Sequence, residues 1–382
     1  MSQHLTRRSF FFLAAAGCGA ARQAAPANKI RIGVVGGNFG ASFFWHRHPA
    51  SEVAAVCDLQ SDRLEHLRKT YNPSARAYTN YQDMLRAGGL DAVAVFTPVP
   101  LHAPMSIEAL EAGCHVLSAV PAAHTLEDCQ KLLDAVRNSP RIYMMAETSY
   151  YRPEVIWARE ARQQGKFGAI FFSEAEYYHQ GLFRLWFDER GAPTWRYGVP
   201  PLHYITHASS MIICVTGERL TEVTATGYGD GRPALRNNPH NNPFLNEVGM
   251  YKTSGGHSAR VAIFRDVAIG GAERASWFGT RLTYRMPQPG GLAGVLGYAD
   301  EKMEAFRPPN YWDRLPDSLR APSGHGGSHT FLTHEFVSAI KEKRRPAIDI
   351  YEALAYTAPG FAGHQSALQG GVQVKVKDFG GG

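Results

Sequence analysis

From Lys29 to about Glu147 the chain alternates short apolar runs with amphipathic segments, and no other feature restricts its fold as strongly. "KIRIGVV", "EVAAVCD", "DAVAVFTP", "HVLSAVP" and "RIYMMAE" read as buried strands. "SDRLEHLRKTY" with Ser61 as N-cap, "YQDMLRAGG" closed by glycine, "PMSIEALEAG" and "TLEDCQKLLDAVRNS" read as helices. Strands separated by helices form a parallel sheet with right-handed crossovers, so this half is a doubly wound α/β domain.

The first strand runs into the loop "GGNFG", behind which the sequence predicts an apolar and aromatic helix. In such a sheet this loop would hold a dinucleotide. Glycine lets the backbone approach a pyrophosphate, and a helix N-terminus favours the anion. Gly36, Gly37 and Gly40 are present, with Asn38 and Phe39 between them. Asn38 takes the second glycine slot of G-x-G-x-x-G and Ala41 the third. Asn tolerates left-handed backbone angles, and Ala is still small. Asp58 ends the second strand about twenty residues on, where an acid takes the ribose hydroxyl pair. An acid at that point favours NAD over NADP. A tight turn and a helix-capping acid explain the parts separately; the whole pattern points to NAD.

A chain of 382 residues suits two domains. The expected division is a leader at 1–27, a dinucleotide-binding domain at 28–148 and a substrate and oligomerisation domain at 149–382. Hydrophobic content of 44% against 19% charged supports a packed core. The net charge of +6 owes part to Arg7, Arg8 and Arg22 in the leader. "KEKRR" at 341–345 reads as a solvated helix end, so no nucleic-acid partner is expected. The five cysteines are scattered and form neither a disulfide framework nor a metal signature. The leader has a basic start, an apolar run from Phe10 to Ala16 and small residues beyond. Arg7-Arg8-Ser9-Phe10 resembles the twin-arginine export signal, which implies a periplasmic protein. The apolar run is too short for a durable span. The single membrane contact suggested is a lipid anchor at Cys18, whose box lacks the expected Leu.

In the second half, "PEVIWAREARQQG" reads as a helix and "AIFFSEAEYYHQG" as a strand on which Tyr177 and His179 share a face. "PLHYITHASSMIICVTG" reads as a helix with His203 and His207 on one face. As a metal pair these lack an adjacent Glu and a third ligand, so no metal is expected and His203 is read as satisfied by a neighbour. "FRLWFDERGAPTWRYG" is an aromatic, polar loop suited to stacking on a sugar, and Trp195, Arg196 and Tyr204 are taken as substrate-binding. "NEVGMYKTSGGHSARVAIFRDV" and "RASWFGTRLTYRM" are strand-like. The stretch from Pro287 to Gly324 is expected to be a long Pro- and Gly-rich loop that covers the site or meets a neighbour. Two closing helices follow. A wide sheet with an open apolar face predicts a homo-oligomer.

"VFTPVPLHAPMSIEALEAGCHVLSAVPAA" resembles the Gfo/Idh/MocA oxidoreductases, and the resemblance extends over nearly all of the chain after the leader. It implies a Rossmann domain followed by an α/β domain on a large, mostly antiparallel sheet. It also implies a nicotinamide cofactor, a sugar or cyclitol substrate, and Thr97, Pro98 and His102 near the nicotinamide. The family's Glu-Lys-Pro is here Ala119-Val120-Pro121, so the lysine that assists proton transfer is missing. "AETSYYRPEV", "EAEYYHQGLFR", "WRYGVPPLHYITH" and "GHGGSHTFLTHEF" look like the branch containing NAD-dependent α-N-acetylgalactosaminidases. That likeness implies catalytic roles for Glu147, Tyr177 and His207, and a substrate contact for His325. Tyr177 or His207 would then take the hydroxyl proton. The expected function is an exported NAD-dependent oxidoreductase acting on a carbohydrate hydroxyl. One alternative is a redox-neutral glycosidase or lyase that recycles tightly held NAD. The other is a non-catalytic sugar-binding protein that keeps a nucleotide as structure.

Overall fold

The computed structural model describes residues 29–381; the leader, including Cys18, lies outside the described residues. Six parallel strands form the first sheet in the order β3-β2-β1-β4-β5-β6. They are β1 (Ile30–Val35), β2 (Ser51–Cys57), β3 (Arg76–Tyr78), β4 (Ala92–Val95), β5 (His115–Ser118) and β6 (Tyr143–Met145). Helices α1 (Ser61–Tyr71), α2 (Tyr81–Arg86), α3 (His102–Glu111) and α4 (Leu126–Arg137) make the crossovers. Near-continuous burial of β1, β4 and β6 shows why these strands lack alternation: both faces are covered. The cap of α1 is Gln60 rather than Ser61; Asp58 Oδ1 accepts from the Gln60 N–H at 2.8 Å.

The expected helix behind the glycine loop is not formed. Two short 3₁₀ turns, Phe39–Ser42 and Trp45–Arg47, stand in its place, separated by Phe44 in the left-handed region. Too few residues separate the loop from β2 for a full helix. Phe43 and Trp45 turn into the core instead, fully buried and stacked 6.1 Å apart.

The second sheet has nine strands in the order β14-β13-β12-β11-β7-β10-β9-β8-β15. Its members are β7 (Ile170–Tyr178), β8 (Leu220–Tyr228), β9 (Asn246–Thr253), β10 (Ser258–Phe264), β11 (Ala272–Gly279), β12 (Leu282–Arg285), β13 (Gly294–Tyr298), β14 (Met303–Phe306) and β15 (Val374–Lys375). Only β7 and β10 run parallel. The segment expected to be one long loop thus supplies two strands, β13 and the edge strand β14, hidden in the sequence by their flanking Gly and Pro. Helices α5 (Pro153–Gln163), α6 (Thr206–Thr216), the short α7 (Pro233–Arg236), α8 (Gly324–Glu342) and α9 (Ile350–Leu368) complete the domain. Helix α9 packs on β8 of the second sheet and on α4 and β6 of the first. One continuous apolar core therefore crosses from domain to domain and fixes the cleft between them.

Candidate active site

The cleft lies at the carboxyl ends of β1, β4 and β5, the usual ligand position in a parallel α/β sheet. It holds about 340 Å³ and is lined by Asn38, Phe39, Thr97, Pro98 and His102 from the first domain, and by Tyr177, His179, Trp195, Arg196, Tyr204, His207 and His325 from the second. Gly36, Gly37 and Gly40 belong to the same loop as Asn38 and Phe39, and Asp58 is hydrogen-bonded to that loop. A larger groove of about 550 Å³ opens at the other end of the first sheet, beside Arg137, Arg141 and Lys343, away from these groups.

Several observations test whether a dinucleotide fits. Gly36 has φ +97°, and a Cβ there would overlap the carbonyl oxygen of Phe96; a Cβ on Gly37 would overlap that of Arg63. The loop is thus pressed onto the sheet, leaving its outer side for a ligand backbone. Asp58 Oδ2 accepts from the Gly37 N–H at 2.7 Å, which places the acid at the loop with lone pairs left for hydroxyls. Thr97 Oγ1 and Thr148 Oγ1 are buried and find no partner among the described residues. Buried hydroxyls in a cleft call for a ligand partner. Arg63, absent from the sequence expectation, lies in the first turn of α1, lines the cleft beside Asn38 and brings a cation where the helix expected behind the loop is missing. These residues fit NAD.

His102 differs from its expected role. Its Nδ1 lies 2.8 Å from the Pro121 oxygen and its Nε2 2.7 Å from the Thr97 oxygen. Both nitrogens are directed at backbone carbonyl oxygens of its own domain; burial lowers the imidazole, and the neutral ring donates to only one of the two, so His102 shapes the cleft wall. Phe39 lines the cleft with its ring packed among other aromatic side chains. It makes edge contacts with Phe43, Phe96, His325 and His329, joining the glycine loop to the second domain.

On the substrate side, Glu147 follows β6 and is fully buried. Its Oε1 accepts from the Ser149 N–H at 2.9 Å and lies 2.8 Å from His207 Nδ1. His203 and His207 do not share a helix face. Pro200 and Pro201 lead into a 3₁₀ turn, Pro201–Tyr204, and α6 begins only at Thr206. His203 consequently points to Phe361 and His364, while His207 points to Glu147 and Tyr177. The His203 ring packs edge-on to both neighbours, but its Nδ1 has no hydrogen-bond partner among the described residues. Burial opposes charge on His207, but the carboxylates of Glu147 and Glu273 outweigh it and push the imidazole up to about 9. His207 is therefore an imidazolium at neutral pH, poised to give a proton. Tyr177, buried next to Tyr204 and Glu273, is pushed well above the usual phenol range and is equally unsuited to accept one.

Sequence reasoning missed Glu273. It stands on β11 directly opposite Tyr177 of β7 and accepts from Ser149 Oγ at 3.1 Å and from Arg152 Nη1 at 3.4 Å. Burial would raise its carboxyl, but His207, Arg152 and His325 hold it below the ordinary range. An acid beginning a strand whose partner carries Tyr177 was the available signal, but only the register reveals it. Ala119 and Val120 line the cleft where the lysine would lie. Arg196 stacks over the Trp195 ring at 4.2 Å, and both line the cleft, an arrangement that presents an aromatic face and hydrogen-bond donors. A second chamber of about 420 Å³ opens past Tyr177, His179 and His325, bounded by Arg152, Glu273 and Pro287–Pro289.

With this geometry in hand, comparison with known proteins is specific. Residues 30–147 match the oxidoreductase family with an NAD-binding Rossmann fold, Gfo/Idh/MocA. Residues 299–382 match the C-terminal domain of glycosyl hydrolase 109. A glycosyl hydrolase family 109 protein of Shewanella sp. (strain ANA-3) is 25% identical over 369 residues, spanning 87% of this chain and 81% of that one. One from Solibacter usitatus (strain Ellin6076) is 24% identical over 393 residues, spanning 93% and 89%. Among solved structures, levoglucosan dehydrogenase with NADH superposes with a TM-score of 0.76 at 18% identity, covering 92% of this chain and all of that one. The scyllo-inositol dehydrogenase of Lactobacillus casei gives 0.73 at 17%, covering 92% and 99%. The likeness to these structures is one of fold.

Proposed function

Because the chain belongs to the Gfo/Idh/MocA oxidoreductases and is an NAD-dependent enzyme, we propose that it cleaves a glycosidic bond by a redox-neutral route, using NAD that it holds and regenerates. The observation that carries this reading is the His207–Glu147 pair, a buried proton donor facing a cleft from which the customary lysine is missing. A plain dehydrogenase needs a group that accepts a proton. An eliminating glycosidase also needs one that gives a proton to the departing oxygen.

Gly36, Gly37, Asp58, Arg63 and Thr97 would hold the dinucleotide. When bound, NAD supplies reversible hydride transfer at a ring carbon, which acidifies the neighbouring C–H, lets the glycosidic oxygen leave and is undone after water adds. The chain's own residues do the rest. His207 carries a proton on Nε2 for the leaving oxygen, with Glu147 holding Nδ1. Trp195 and Arg196 orient the sugar, and the apolar Ala119, Val120 and Leu182 exclude water.

The twin-arginine leader and the held cofactor support each other in this reading. An exported enzyme meets no soluble nucleotide pool, and one that recycles its own cofactor needs none. The open face of the second sheet, with Met250 and Tyr228 exposed, is read as the surface that meets a second copy. To test the function, the purified protein is denatured and released NAD(H) counted, while intact protein is given aryl glycosides without added cofactor. Stoichiometric nucleotide with aglycone release is expected. Weak, exchangeable NAD together with NADH formation from free sugars would establish a plain dehydrogenase instead.

A further inference from the structure

The groove at the far end of the first sheet is larger than the catalytic cleft, and the proposed reaction does not use it. It holds about 550 Å³ between the starts of β5 and β6 on one side and the α8–α9 connection on the other. The basic run "KEKRR", read from the sequence as a solvated helix end, folds into its rim. Lys343 closes α8 with left-handed angles (φ 53°, ψ 43°), and Arg345 Nε donates to Asp349 Oδ2 at 2.6 Å. Asp349 Oδ1 in turn caps α9, accepting from the Tyr351 N–H at 2.9 Å. The run is a tight corner between two helices.

Its cations are not all neutralised. Arg344 forks onto Glu335 at 2.7 and 2.9 Å, and Arg345 is held by Asp349. Arg137 donates only to the Tyr351 hydroxyl, at 3.3 Å. Arg137, Arg141 and Lys343 have no carboxylate within ion-pair distance among the described residues. Two helices end at this groove, α4 at Arg137 and α8 at Glu342, which is the ordinary reason for basic residues there. Each helix end carries about half a negative charge, so the two together offset about one cation and leave the groove positive. His115 adds a fixed donor. The Ile142 N–H donates to His115 Nδ1 at 2.9 Å, so the ring proton sits on Nε2. Burial and the charge of Arg141 lower this imidazole to about 4, which keeps it neutral at pH 7. A neutral N–H beside unpaired cations suits a charged group that only accepts, such as a sulfate or a carboxylate.

We propose that this groove is a second carbohydrate site, which binds an acidic glycan bearing sulfate or carboxylate groups through Arg137, Arg141, Lys343 and His115. The ligand class rests on the carbohydrate reading of the catalytic cleft, but the site is separate from that cleft and its test needs no turnover. Shape favours a glycan over a membrane. The apolar lining residues Val136, Ile142, Ile340 and Tyr351 are half-buried and packed against the core. A bilayer is gripped by apolar side chains that protrude into it, and no lining residue is a largely exposed apolar one. A sugar chain can instead lay its C–H faces on that floor and its acidic groups on the rim. Bound there, the polymer tethers the enzyme and leaves the cleft free to work on chain ends.

Dextran sulfate and neutral dextran share a backbone and differ in charge, so affinity electrophoresis of the whole protein in gels containing each is the direct test. Dextran sulfate should retard the protein, neutral dextran should not, and added salt should weaken the retardation. The triple variant Arg137→Gln, Arg141→Gln, Lys343→Gln should raise the dissociation constant for dextran sulfate roughly three- to a hundredfold, with melting temperature and NAD content unchanged. A matched variant in the second domain, Lys166→Gln, Arg281→Gln, Arg285→Gln, makes the same change in net charge and should alter binding less than about twofold. Equal losses in the two variants, or no retardation of the wild-type protein, overturns the site. Sedimentation with phosphatidylglycerol vesicles that is abolished in the groove variant overturns the glycan assignment in favour of a membrane. If aryl glycosides are not cleaved but the groove variant alone loses dextran sulfate, the functional reading fails and the groove assignment stands.

Discussion

At residue scale, the site sorts its histidines by their neighbours. His207 and His325 stack 6.3 Å apart, too close for both to be charged comfortably. Glu147 is bonded to His207 and not to His325, and that asymmetry makes one a donor and the other neutral. The same asymmetry appears in stability. The His207 pKa is raised, so its contribution is complete below the ordinary value near 6.5 and is lost as pH rises through about 9. Denaturant unfolding of the wild-type protein should lose on the order of 3 kcal/mol between pH 6.5 and 9.5 that His207→Gln does not lose. Equal slopes in the two proteins would remove the charged pair. Glu147→Ala should cost about 3–5 kcal/mol at neutral pH, because it removes the hydrogen-bonded carboxylate of a buried imidazolium. Thermal or urea melts check this directly.

At element scale, what was legible depended on whether a local signal was also the deciding one. The strands and helices of the first sheet were readable because burial on both faces demands unbroken apolar runs, and their caps are local. The missing helix after Gly40 was not, since "GASFFWHRHP" has helical composition but too few residues to span the sheet. His203 and His207 were separated by a proline-driven turn that spacing alone does not reveal. Glu273 became part of the site through the register of β11 on β7, a long-range fact. The glycine loop and the start of α8 carry testable constraints. Gly36→Ala must relieve both a positive φ and the Phe96 carbonyl, so it should abolish NAD retention and destabilise by about 1–3 kcal/mol. Gly324→Ala forces the His329 ring aside. Its expected signature is a fall in kcat with NAD content preserved, measured as nucleotide released per chain. Loss of nucleotide in Gly324→Ala would mean that the helix start supports the cofactor loop as well as the His325–His329 contact.

At the scale of the whole molecule, α9 welds both sheets into one core, so opening the cleft for nucleotide exchange disturbs packing that both domains share. If NAD is held as proposed, release should be slow, because Phe39 of the glycine loop packs edge-on against His325 and His329 of the second domain. A ligand bound only by the folded state stabilises it by RT ln(1 + [L]/Kd), about 4.1 kcal/mol when the ligand stands a thousandfold above Kd. The purified protein should therefore melt well above the nucleotide-stripped protein, and added NAD should restore the difference. If retention is kinetic as well as thermodynamic, dilution of the loaded protein over hours should leave nucleotide bound, and its release should coincide with the unfolding transition. A plain dehydrogenase exchanges its cofactor in every cycle, so it would lose nucleotide on dilution and show a melting point that follows free NAD. Following bound nucleotide and unfolding together on one sample thus distinguishes a recycled cofactor from a co-substrate without knowing the sugar.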